Sequence, residues 1–108
     1  MAETGILSEA ILEEIVRRVV EVAEPEKIIL FGSAARGEMG PDSDVDLLVV
    51  KSTAYRRKLA QTIYKNLLGL TQPVDVVVVT PGDLERYAYS PALVFESALR
   101  EGRIVYAA

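Results

Sequence analysis

Short β-branched runs alternate along this chain with amphipathic segments of helical period. That alternation predicts an α/β (α+β) fold, a mixed central sheet flanked by helices. Two observations carry the prediction. The runs Val45-Asp46-Leu47-Leu48-Val49-Val50 and Val76-Val77-Val78-Val79 are brief and strongly β-favouring. Ile11, Leu12, Ile15, Val16, Val19, Val22 and Ala23 fall on a single helical stripe.

Taken in order, the stripe predicts a first helix over 8–23, ended by Pro25, which lacks the N–H a helix interior needs. A strand over 27–31 follows. A Gly-Ser turn then opens a short helix near Ala34, and a strand over 44–50 comes next. A helix over 55–68 leads to a strand over 74–79. Thr80-Pro81-Gly82-Asp83 supplies an N-cap, a first-turn proline and a first-turn acid for a short helix. Ser90-Pro91 repeats the device for a helix over 92–100, Gly102 stops it, and Ile104-Val105-Tyr106 suits a final edge strand.

The sequence has 108 residues and no cysteine, the size of one domain spanning 1–108. A chain of that size buries about two-thirds of its unfolded surface without disulfide support. No apolar run is long enough to span a bilayer and no signal-peptide pattern opens the chain, so no membrane association and a cytoplasmic location are expected. The net charge of −4 argues against general nucleic-acid binding, which neutralises phosphates with clustered Lys and Arg. Arg56-Arg57-Lys58, flanked by Lys51 and Lys65, is the one basic cluster and reads as the solvated face of a helix.

The chemistry is concentrated in Phe31-Gly32-Ser33-Ala34-Ala35-Arg36-Gly37 and Ser43-Asp44-Val45-Asp46-Leu47. A glycine turn leaving a buried strand exposes backbone N–H groups to an approaching anion. Asp44 and Asp46 alternate at the mouth of a strand, so both point to one face, roughly 7 Å apart at Cα. Asp75 opens the next β-rich run, and if the two strands are neighbours three carboxylates converge. Like charges about 5 Å apart repel by roughly 3 kcal/mol at an effective dielectric near 20. Something positive must offset that, and in a chain without histidine or cysteine the hard oxygens suit Mg²⁺ or Mn²⁺ with substrate phosphates.

Two rival motifs fail. Counted from Asp42, a calcium loop would need glycine at Leu47 and glutamate at Thr53. Gly32 and Gly37 have the spacing of a Walker loop, but Glu38-Met39 follow where Lys-Ser/Thr belongs.

At these residues the chain resembles the polymerase-beta-type nucleotidyltransferases, whose signature is Gly-Ser, a spacer, Asp-x-Asp and a third acid on a later strand. Residues 34–43 fill the spacer here. The fuller pattern of Phe31-Gly32-Ser33, Arg36-Gly37, Ser43-Asp44 and Asp46-Leu47 is similar to the minimal nucleotidyltransferases, small prokaryotic proteins that accompany a helical HEPN-domain protein. The resemblance implies the polymerase-beta-like core. It also implies two Mg²⁺ ions (or Mn²⁺) on Asp44 and Asp46, with Asp75 binding the catalytic ion and helping to deprotonate the attacking hydroxyl. Gly32 and Ser33 would hold the triphosphate. Arg36 would steady phosphate charge, or stand as an exposed helix arginine; Gly37 would shape the loop.

Transfer of AMP from ATP to a hydroxyl is the implied reaction, with a tyrosine of a HEPN toxin as acceptor and an antitoxin role. A non-catalytic module that neutralises its partner by occlusion is the alternative. Larger relatives cover the base with an added helical domain, so a separate helical protein or a second copy of this chain is expected to complete the pocket.

Overall fold

A computed structural model describes residues 7–40, 43–87 and 100–108. The expected helix over 92–100 and the Ser90-Pro91 pair that would open it lie outside these residues, except for Arg100.

The amphipathic stripe forms α1 (Glu9–Ala23), which buries Leu12, Ile15, Val19 and Ala23. Glu24 ends it at φ 44°, in the left-handed region, and gives its N–H to the Val20 carbonyl before Pro25 redirects the chain. The remaining elements are β1 (Lys27–Phe31), α2 (Ser33–Arg36), β2 (Val45–Val50), α3 (Arg56–Asn66), β3 (Val74–Val79), α4 (Pro81–Tyr87) and β4 (Arg103–Ala107). Every expected strand and helix within the described residues is present, with ends moved by one or two positions. The α3 helix stops at Asn66 rather than residue 68, short of Gly69, which adopts φ 95°.

The strands form one mixed sheet of order β3-β2-β1-β4. β1 runs antiparallel to β2 and β4, whereas β2 and β3 are parallel. α3 is the crossover that a parallel pair requires. β4 occupies the edge expected for the last strand.

Alternation along the strands divides the core. Ile28, Leu30, Val45, Leu47, Val49, Val76 and Val78 face α1 and α3 and pack with Leu12, Ile15, Val19, Ile63 and Leu67. Ile29, Leu48, Val50 and Val79 form a second cluster with Phe31, Val77 and Leu84. Asp46 and Asp75 have the parity of this second cluster, so both carboxylates lie on the sheet face opposite α1 and α3. Among the described residues no helix is long and apolar enough to cross a membrane.

Candidate active site

The parallel register of β2 and β3 sets Asp46 directly beside Asp75, and Asp44 stands just before β2, two residues ahead of Asp46, with its charge acting on Asp46. Backbone and side-chain bonds upstream hold that register. Val45 N–H donates to the Pro73 carbonyl at 2.9 Å, and Gln72 Nε2 bridges the carbonyls of Ser43 and Pro73 at 3.2 and 3.0 Å. The two acid-bearing strand mouths are thereby tied together from outside the ladder.

On the other side, Phe31 pairs with Asp46 across the antiparallel β1/β2 ladder, which delivers the Gly-Ser turn to the acids. Gly32 has φ 73°, and a Cβ at this position would collide with Asp46 Oδ2. Glycine is therefore required twice, by the backbone conformation and by the carboxylate beside it. Ser33 begins α2, and the Ala35 and Arg36 N–H groups return to the Gly32 carbonyl. Glu38 N–H closes on the Ser33 carbonyl at 2.8 Å, so the turn is a compact unit.

Electrostatics follow the geometry. Asp46 is half-buried, and its carboxyl is pushed above the usual carboxylate range, first by desolvation, then by the Asp75 and Asp44 charges, with Arg36 opposing. Asp44 and Asp75 are both exposed. Arg36 is also exposed, and its Nε donates to Glu38 Oε1 at 2.7 Å. That bond leads the effects keeping the guanidinium protonated, ahead of the weaker attraction to Asp46. Arg36 is thus tied to the loop rather than turned into the acids.

Of the residues singled out from sequence, Asp44, Asp46, Asp75, Gly32 and Ser33 gather at one end of the sheet; Arg36 flanks them. Sequence reasoning missed Gln72 and Tyr64. The Tyr64 hydroxyl donates to Asp75 Oδ1 at 3.1 Å and accepts the Val76 N–H at 2.7 Å. No local pattern marks Tyr64, because its role exists only once α3 lies against β3.

Among the described residues no group of three or more His, Cys, Asp or Glu side chains is placed to hold a metal ion by itself. The donor set still fits Mg²⁺, which is held by one or two carboxylates together with substrate phosphates rather than by an all-protein cage. A half-buried carboxylate repelled by two exposed ones beside a glycine turn is chemically suited to a divalent ion and a polyphosphate.

The basic cluster stands apart from this site and is partly neutralised. Arg56 Nη1 pairs with Asp83 at 2.6 Å, and Lys51 Nζ donates to the Glu24 carbonyl at 2.9 Å.

No curated protein matches the sequence significantly. Among solved structures, a provisionally described nucleotidyltransferase from Sulfolobus solfataricus superposes with a TM-score of 0.61 at 20% identity, over 91% of this chain and 78% of that one. A structure of a toxin–antitoxin pair with AMP-PNP superposes with a TM-score of 0.59 at 22% identity, over 89% and 73%. A mutant of the MntA-HpeT toxin–antitoxin pair gives 0.59 at 20% identity, over 94% and 75%. These likenesses establish a shared fold. The family is established separately, because the model of the nucleotidyltransferase domain matches residues 10–105, and the chain therefore belongs to the nucleotidyltransferase domain family, as its likeness to the minimal nucleotidyltransferases led one to expect.

Proposed function

We propose that this transferase moves a nucleoside monophosphate, AMP from ATP, onto a hydroxyl of a partner protein in the presence of divalent metal, and that the modification makes it an antitoxin. The observation carrying the reading is the pairing of Asp46 with Asp75 beside Gly32, on a chain of this family. The neighbours described as toxin–antitoxin proteins, one of them with AMP-PNP, support a nucleotide donor and a protein partner. A helical HEPN protein presenting a tyrosine is the acceptor we favour, with a second copy of this chain as the other way to complete the pocket.

The Gly32 and Ser33 segment binds the triphosphate, because an open glycine turn lets backbone N–H groups approach its oxygens. Asp44 and Asp46 would hold Mg²⁺ with Asp75, and the bound ions would supply charge neutralisation at the attacking and leaving oxygens. The acceptor oxygen attacks the α-phosphorus, its proton passes toward Asp75, and the bond to pyrophosphate breaks. Asp75 is exposed and so reachable by an incoming hydroxyl. Arg36, anchored by Glu38, contributes positive charge at the rim.

Incubation with Mg²⁺, labelled ATP and the product of the neighbouring gene tests the proposal. Label should appear on the partner and fall by orders of magnitude in Asp44→Ala or Asp46→Ala. Undiminished labelling in those variants would refute the catalytic assignment. Full suppression of the partner by the double alanine variant, without labelling, would favour occlusion instead.

A further inference from the structure

We propose that Tyr64 is a positioning residue for Asp75, fixing the orientation of its carboxylate by a hydroxyl that is itself fixed to the β3 backbone. The inference rests on the proposed function and deepens it. Tyr64 belongs to α3, on the sheet face opposite the acids, and its ring end reaches the open edge of β3 to meet Asp75. It can do so because β3 is an edge strand, whose Val76 N–H has no ladder partner on that side.

The phenol has a single proton and two nearby acceptors. Asp75 Oδ1 is at 3.1 Å and the Val76 carbonyl at 3.4 Å. The carboxylate oxygen is the nearer acceptor and lies close to the long end of ordinary O–H···O distances, whereas the carbonyl lies well beyond it, so the proton goes to Asp75. The Val76 N–H, at 2.7 Å, occupies an oxygen lone pair and fixes where that proton points.

Asp75 needs such a tether. It is exposed, and its register partner Asp46 repels it, so an unrestrained carboxylate would rotate into solvent. With Oδ1 held by Tyr64, Oδ2 is left for an incoming cation or acceptor proton. This division of labour between a liganding carboxylate and the group that orients it is general in metal sites.

The test is Tyr64→Phe in the full chain, alone and combined with Asp75→Ala. Mn²⁺ binding is read by electron paramagnetic resonance with a non-hydrolysable ATP analogue present, and labelled transfer to the partner gives kcat and KM. Phenylalanine keeps the ring and removes only the hydroxyl. Mn²⁺ affinity and kcat should each fall roughly ten- to a hundredfold, with KM for ATP unchanged within about twofold. In the Asp75→Ala background, Tyr64→Phe should cause no further loss of Mn²⁺ affinity, because the partner through which it acts is gone. Wild-type-like Mn²⁺ affinity in Tyr64→Phe, or an equal loss in both backgrounds, would overturn the inference, and the second result also identifies a general folding defect. A wild-type protein that binds no Mn²⁺ and transfers no label would instead overturn the proposed function.

Discussion

At Gly32 the backbone turns at φ 73° with the Asp46 carboxylate lying where a Cβ would project. Gly32→Ala should therefore destabilise the protein by about 1–3 kcal/mol, through left-handed strain and displacement of Asp46, measurable by urea unfolding. Unchanged stability would mean that the turn relaxes freely. Asp46 itself is a cost to the metal-free fold. Its carboxyl is raised above the ordinary value by desolvation and then by Asp75 and Asp44, so the folded chain holds that proton more tightly than the unfolded one. The associated stability is complete below about pH 4 and is lost as pH rises through the raised value. Asp46→Asn cannot ionise and escapes the loss. In chelator at neutral pH it should melt above wild type, with the gap closing as the pH falls toward the ordinary carboxylate range, as followed by circular dichroism. A lower melting point at neutral pH would show that Asp46 is not repelled in the free protein. The alternation of Asp44 and Asp46 was legible in sequence because strand period alone puts both on one face. Tyr64 was not, since only the packing of α3 on β3 makes it a neighbour of Asp75.

The α4 helix shows the same contrast over a longer span. Thr80 and Asp83 form a reciprocal cap: Asp83 N–H donates to Thr80 Oγ1 at 3.1 Å, and Thr80 N–H donates to Asp83 Oδ2 at 3.0 Å. The cap could be read from Thr80-Pro81-Gly82-Asp83 because all its partners lie within one turn. The Arg56 guanidinium on the same Asp83 oxygen, at 2.6 Å, comes from the start of α3 and had no local signature. Asp83 is thus a joint between two helices as well as a cap, and it is 6% exposed. The Thr80 backbone N–H, chief among several favourable partners, holds its carboxyl below the ordinary value. The sign is opposite to that of Asp46: this stability is present above about pH 4 and is lost as pH falls through the lowered value. Thr80→Ala should cost about 1 kcal/mol at neutral pH, seen as an earlier urea midpoint. Asp83→Asn should lower the melting temperature at pH 7 and converge with wild type near pH 2; equal differences at both pH values would exclude the ionised cap.

For the whole molecule, the decisive feature is that β2 and β3 run parallel while β1 meets β2 antiparallel. The strands themselves were evident as apolar runs, but their order was not, because each run carries the same pattern whichever neighbour it pairs with. A reversed β3 would place Asp75 at the far end of the sheet; the parallel pair puts Asp46 and Asp75 in register, and Gln72 secures the arrangement by bridging Ser43 and Pro73. The folded chain therefore gathers like charges that the unfolded chain keeps apart. A ligand that relieves this crowding binds the native state selectively and must stabilise it by linkage. With Mg²⁺ and a non-hydrolysable ATP analogue at about a hundred times their dissociation constant, the gain is about 2.7 kcal/mol. For a chain of 108 residues that corresponds to a rise of roughly 10 °C in scanning calorimetry. Chelator should abolish the rise, and Asp44→Ala/Asp46→Ala should not show it, even though removing both charges relaxes the repulsion in the free protein. A rise of equal size in that double variant would place the nucleotide and metal elsewhere on the molecule, away from the strand mouths that hold the three acids.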